Sequence, residues 1–347
     1  MTDPRPARVP GPRSLRALAE GGCDAHARPA APDPYGPRDA YDRFGPHTTR
    51  PRPEPSPLPP GRPAPAQPPV GAVVFGLALQ SLRRGSASGA NPVRGRADAA
   101  RSIGAGTRAI TRLEGALGGH GIGPDARHAL LARYGMTDPE TRDATARLLH
   151  APDPAALHDS GAGWPQRLAA CVGRAGRVRT YALTVFPRVL WTAGYAHALC
   201  TAHRMPPGRF TPPARVPEGV PITALLDEMV LCHLWNVDLD PAVTAAQLDH
   251  VLGLVAGGAL TVRVIGMHAQ PTGAAMITEL ARAGGRHHLF AEEYDDFSGV
   301  HYRTAPSPGP YPGLLDTAES RAMSPTDSLA VLKAARRHAT CSPSGGR

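Results

Sequence analysis

Several groups of residues have types and spacings that bear on chemistry. His197, Cys200 and His203 stand at i, i+3 and i+6, with Cys232-His233 further along. Together they suggest a metal ion. On one helix, however, the two outer histidines lie roughly 240° apart and cannot converge with Cys200. Cys232-His233 could complete a site only through a tertiary approach, so no metal is expected. His287-His288 reads as a strand edge or loop. Asp227-Glu228 and Glu292-Glu293 are paired carboxylates of the kind that could move protons. Solvated faces, or ion pairs to the many arginines, explain them more simply. Gly119-His120-Gly121-Ile122-Gly123 has the look of a phosphate loop. No strand precedes it, and its spacing fits neither a Walker A nor a dinucleotide fingerprint, so it reads as a turn. The chain has no GxSxG and no recognisable Ser/His/Asp set. No cofactor and no enzymatic activity are expected.

The arginines form the remaining group. Between Arg83 and Arg112 stand seven of them (83, 84, 94, 96, 101, 108, 112) against a single acid, Asp98. Within residues 99–117 an alanine-rich segment leads through Ala105-Gly106 into a second helical segment. Wound at about 100° per residue, that segment separates into two faces. Ile110, Leu113 and Leu117 share one arc; Thr107, Arg108, Thr111 and Arg112 share the other. A short helix with this division suits a reader of the DNA major groove. It equally suits a solvated amphipathic helix.

These residues need a scaffold, and the composition bounds it. The chain has 347 residues, long enough for a substantial core. Aromatics are only 5%, against 40 prolines and 38 glycines, so much of the length is not expected to pack. The net charge of +9 rests on arginine, since Lys333 is the only lysine. This balance fits a polyanionic partner without requiring one. The five cysteines (23, 171, 200, 232, 341) are scattered without a CxxC, as in a reduced, cytoplasmic chain. No apolar run suits a signal peptide or a membrane span.

Residues 1–70 are proline-rich, lack apolar periodicity and are expected to be a disordered tail. From Val73, the positions Val74, Leu77, Ala78 and Leu82 form a helical stripe ending in Arg83-Arg84. A helix is expected from Asp125 to Tyr134. Another follows Thr137-Asp138-Pro139-Glu140, with a capping side chain and proline at the first helical position. Residues 73–150 thus read as an all-α bundle of about five helices. Residues 151–163 read as a linker, and 164–340 as an α+β domain. In that domain 180–189 reads as extended, 191–200 and 244–255 as helices, and Leu260 to Ile265 as an alternating strand. Residues 274–280 fit a strand or a helix, and 288–294 fit a strand. Ser324-Pro325-Thr326-Asp327 is a capping box ahead of a last helix.

Taken in order, these segments resemble the actinobacterial helix-turn-helix regulators of the XRE (lambda-repressor-like) type that carry a C-terminal DUF5753 domain. The resemblance rests on Ala99-Ala100-Arg101-Ser102-Ile103-Gly104, Ala109-Ile110-Thr111-Arg112-Leu113-Glu114 and Tyr134-Gly135-Met136-Thr137-Asp138-Pro139-Glu140. In the second half it rests on Arg177-Val178-Arg179-Thr180-Tyr181, Leu225-Leu226-Asp227-Glu228, Gln247-Leu248-Asp249-His250-Val251-Leu252 and the segment from Leu314 to Leu329. It implies a cytoplasmic, nucleoid-associated regulator that binds double-stranded DNA as a homodimer. Its second domain would take a small-molecule effector or a small protein partner. By position, Thr107, Arg108 and Arg112 would face bases, Thr111 would border phosphates, and Arg94, Arg96 and Arg101 would contact the backbone. Glu114 would pair with Arg83 structurally. The chain departs from the pattern in a longer loop between Arg84 and Arg96, and in Gly95 and Gly106 at positions that usually carry capping side chains. The Arg-rich helix before Leu225 is also replaced by a proline-rich stretch. A protein-interaction module that no longer binds DNA, or a small-molecule enzyme in the second domain, are the alternatives.

Overall fold

The structure is a computed structural model. It describes residues 68–86, 95–116, 122–204, 216, 219–236, 239–270, 276–281, 288–294, 296–304 and 308–341. The expected tail up to residue 67, the loop containing Arg94, Leu117, and Gly119 to Gly121 lie outside the described residues.

Among the described residues five helices come first: α1 (Val70–Ser86), α2 (Arg96–Ser102), α3 (Thr107–Glu114), α4 (Pro124–Arg133) and α5 (Pro139–Arg147). The first ten residues of α1, VGAVVFGLAL, are apolar on every side, and such a helix has to be covered on every side. Val73, Phe75 and Leu79 are accordingly buried together with Val74, Leu77 and Ala78 of the expected stripe. One side of α1 meets α3 and another meets α6 (Trp164–Val172). Gly76 makes the α3 contact possible, because a Cβ there would lie 2.8 Å from the Glu114 carbonyl oxygen. Asp138 caps α5 by accepting from the Thr141 N–H at 2.9 Å, with Pro139 as its first residue.

Residues 151–163, expected to be a linker, contain β1 (Ala156–Asp159), which is built into the sheet. A four-residue strand is too short for its alternation to be legible beside Pro152 and Pro154. The other strands are β2 (Arg177–Ala182), β3 (Ile222–Asp227), β4 (Leu260–Ile265), β5 (Met276–Ala281), β6 (His288–Glu293) and β7 (Val300–Thr304). The seven strands form one mixed sheet in the order β1-β7-β6-β5-β2-β3-β4. The β2, β3 and β4 strands are parallel neighbours, and every other pairing is antiparallel. The parallel pairs need crossovers. α7 (Ala193–Ala202) lies between β2 and β3, and α8 (Glu228–Asn236) with α9 (Pro241–Ala256) lies between β3 and β4.

The two faces of the sheet carry different cores, as period-two alternation requires. Tyr181, Leu225, Ile265, Ile277 and Phe290 pack with Tyr311, Leu315 and Ala318 of α10 (Tyr311–Arg321). Val178, Ala224, Leu226, Val262, Val264 and Leu280 belong to the larger core, which also takes in α1, α6, α7, α9 and α11 (Pro325–Cys341). The outer edge of β4 is capped. Val264 donates its N–H to the Ser328 hydroxyl, and its carbonyl accepts from the Met323 N–H, each at 2.8 Å.

This half of the chain is α+β, as its alternating and helical segments indicated. Residues 180–189 differ, because the strand ends at Ala182 and the chain turns through a 3₁₀ segment at Arg188–Leu190. Ambiguous 274–280 resolves to strand, paired on both sides by β2 and β6. At Ser324 the hydroxyl accepts from the Asp327 N–H at 3.1 Å and donates to its carboxylate at 2.7 Å. No helix among the described residues is long and apolar enough to cross a membrane.

Candidate nucleic-acid interface and its supports

α2 and α3 pack against each other across a tight turn in which Gly104 takes φ +65. Ala99 and Ala100 of α2 and Ile110, Leu113 and Glu114 of α3 face inward and are buried. Thr107, Arg108, Thr111 and Arg112 lie together on the exposed side of α3. Among the described residues, Arg108 and Arg112 have no hydrogen-bond or ion-pair partner, so their guanidinium groups face solvent. The Thr111 hydroxyl donates back to the Thr107 carbonyl at 3.0 Å. Neither α2 nor α3 has a side-chain cap, since Gly95 and Gly106 precede them. The Ala109 N–H donates to the Gly106 carbonyl at 2.9 Å, which leaves the N–H groups of Thr107 and Arg108 uncapped among the described residues.

The other arginines of the basic stretch are divided. Arg101 is exposed but paired with Asp98 one turn earlier. Arg94 lies outside the described residues. Arg96 turns inward: its Nε donates to Glu114 Oε2 at 2.7 Å, although 43% of the side chain remains exposed. Glu114 is 1% exposed and also accepts from Arg83 Nε at 2.7 Å and Nη2 at 3.1 Å. One buried carboxylate thus ties α1, α2 and α3 together. A hydrogen bond to the charged partner holds the Arg83 guanidinium above its ordinary pKa despite burial.

Two further contacts carry this arrangement into the sheet domain. Gln80 Nε2 donates to the Glu114 main-chain oxygen at 2.6 Å, and Arg174 Nε, just beyond α6, donates to Gln80 Oε1 at 3.3 Å. Arg167 of α6 is 2% exposed and uses every N–H it has. Nε and Nη2 bind the Asp159 carboxylate at 2.7 and 2.6 Å, and Nη2 also reaches the Gly161 carbonyl. Nη1 binds the Ala162 carbonyl at 2.7 Å and the Thr145 hydroxyl of α5 at 3.1 Å. No periodic pattern marks Gln80 or Arg174, whose partners are 34 and 94 positions away, and Arg167 meets Asp159, Gly161 and Ala162 only through the turn that precedes α6.

The paired carboxylates are separated by their backbone. Asp227 ends β3 and Glu228 begins α8. Asp227 Oδ1 accepts from the Met229 N–H at 2.9 Å and from Gln270 Nε2 at 2.8 Å. Its Oδ2 is buried with no partner among the described residues, and burial raises the carboxyl above the usual range. Glu228 accepts from the Met267 N–H at 3.2 Å. Glu292 accepts from the Tyr311 hydroxyl at 2.6 Å, and Glu293 from Arg188 Nε at 2.7 Å. Arg188 is also stacked against Trp191 and Trp164, at 4.4 and 4.7 Å from the ring centroids. The tertiary fold does bring His203 and His233 together, with ring centroids 6.3 Å apart. Among the described residues, however, no group of three or more His, Cys, Asp or Glu side chains could hold a metal ion.

No curated protein and no solved structure matches the chain. Residues 165–334 match the family model described as Domain of unknown function (DUF5753). This match begins at the second residue of α6 and ends within α11, so it takes in six of the seven strands. The chain carries a DUF5753 domain at residues 165–334.

Proposed function

We propose that this protein is a sequence-specific DNA-binding transcriptional regulator, with α2, the following turn and α3 acting as a helix-turn-helix of the XRE type. The observation that carries this reading is the division of α3. Ile110, Leu113 and Glu114 are buried, while Thr107, Arg108, Thr111 and Arg112 are exposed side by side. Arg108 and Arg112 supply forked donors for guanine edges, and the uncapped N–H groups of α3 suit a phosphate. Arg101 contributes a backbone contact at the expense of its pairing with Asp98, and Arg94 belongs to the same basic stretch. Arg96 supports α3 through Glu114 in place of a direct DNA contact. Two copies bind a two-fold operator. The DUF5753 domain receives a small-molecule effector or a small protein partner, has no enzymatic role, and acts in the cytoplasm on the nucleoid.

The test is fluorescence anisotropy of the full chain on double-stranded DNA from its own promoter region, at salt concentrations from about 50 to 200 mM. The affinity is expected to fall with a log–log slope of about −0.9 per phosphate contacted. A salt-independent interaction, or none, overturns the reading.

A protein-interaction module without DNA binding is the second reading. It is favoured by the diversion of Arg96 to Glu114 and by the missing side-chain caps of α2 and α3.

A further inference from the structure

A cavity of about 290 Å³ lies between α1, the turn at 134–136 and α6. Ala78, Leu82, Tyr134, Met136 and Ala170 supply apolar surface to its lining, and Ser81 and Gln166 add polar side chains. Among the described residues, Arg167 is the only charged one in the lining. Its guanidinium cannot serve a ligand, because all its N–H groups are already given to Asp159, Thr145 and the carbonyls of Gly161 and Ala162. An anion would therefore lose its hydration with no free cation among the described lining residues to replace it. The volume lies just below the usual range of ligand pockets, ~300–1,000 Å³, and the seam between a helical segment and a second domain is a usual place for one.

The wall formed by α1 is also the support of α3. Gln80 and Arg83 lie on the face of α1 opposite the lining positions Ala78, Ser81 and Leu82, and their side chains hold Glu114 at the end of α3. Arg174 holds Gln80 from the DUF5753 side. A molecule seated in the cavity would therefore touch the helix whose other face holds α3.

We propose that this cavity is an effector site for a small, uncharged, mostly apolar molecule of about one or two rings, and that its occupancy changes DNA affinity through α1. The change in affinity rests on the DNA-binding reading; occupancy of the cavity does not.

The experiment uses the full chain labelled with ¹³C at the methionine methyls, titrated with phenol as an uncharged probe and benzoate as a charged one. A saturable shift of the Met136 methyl is expected with phenol, with Met229, Met276 and Met323 unmoved and benzoate ineffective. Ala170→Trp, which fills the cavity, is expected to abolish the shift. Leu82→Phe fills it less drastically and weakens the shift should the tryptophan variant fail to fold. No saturable Met136 shift, an undiminished shift in a folded filled variant, or an equal response to benzoate overturns the site. A second arm measures anisotropy on DNA with and without saturating phenol. An at least threefold change in Kd in the wild type, absent from the filled variant, is expected. Phenol that occupies the cavity while Kd stays constant overturns the coupling, whereas a protein that binds no DNA fails in the second arm alone.

Discussion

Arg83 and Glu114, 31 residues apart, form a two-point ion pair in which the glutamate side chain is wholly buried and the arginine side chain only 15% exposed. Breaking a buried pair from one side leaves the other charge desolvated and uncompensated, at a cost of about 3–5 kcal/mol. Glu114→Ala is expected to destabilise the protein by that order, because it strands Arg83 and releases Arg96 together. Arg96→Ala is expected to cost about 1 kcal/mol or less, since its side chain is 43% exposed and Arg83 still satisfies the carboxylate. Urea unfolding of the two variants checks the ranking, and equal losses would refute it.

For DNA, Arg108→Ala is expected to lower affinity for the preferred site by about 1–3 kcal/mol and to relax the preference at one base position. Arg101→Ala is expected to weaken binding to all sequences alike and to reduce the salt slope by about 1. Competition anisotropy with single-base operator variants distinguishes the two patterns. Indifference of both variants would remove α3 as the reading helix.

The Arg167 site tests whether the helical segment is anchored to the sheet. Arg167→Lys keeps the charge but cannot reproduce a fork that reaches Asp159, Thr145 and two carbonyls at once. A loss of about 3 kcal/mol or more is expected. Differential scanning calorimetry reads it as a lower midpoint, and a variant melting like the wild type would contradict this account.

Asp227 gives a pH dependence with a definite sign. Burial raises its carboxyl in the folded state, so the folded protein favours the protonated form more than the unfolded chain does. The stability this provides is fully present below the unfolded value, near pH 4, and is lost as the pH rises through the folded one. Asp227→Asn keeps an acceptor for Met229 and Gln270 and removes the charge. It is expected to raise the melting midpoint by about 2–4 °C at neutral pH, with the gain vanishing towards pH 4. A gain independent of pH would show that the charge is not the cause.

Much of the architecture was legible because it depends on local periodicity. Leu260 to Ile265 alternates and forms β4, and the helix expected over 244–255 lies within α9. Gly95 and Gly106 stand before α2 and α3 without side-chain caps, as their residue types require. What misled was local as well. The stripe on α1 was correct but incomplete, because a helix covered from two directions has no solvent face to reveal. Residues 151–163 looked like a linker because proline and aspartate flank a strand of only four residues.

By itself, the sequence determined several of the helices and the strand from Leu260 to Ile265, which side of α3 carries arginines and threonines, and that the second half is α+β. These properties follow from side chains within a few residues of one another. The tertiary structure alone decided the order of the sheet, the inward turn of Arg96, and the separation of Asp227 from Glu228 at a strand–helix junction. It alone joined Arg174 to Gln80 across 94 positions. Such contacts depend on which surfaces meet when the cores close, and a buried carboxylate takes whichever cations that closure brings within reach.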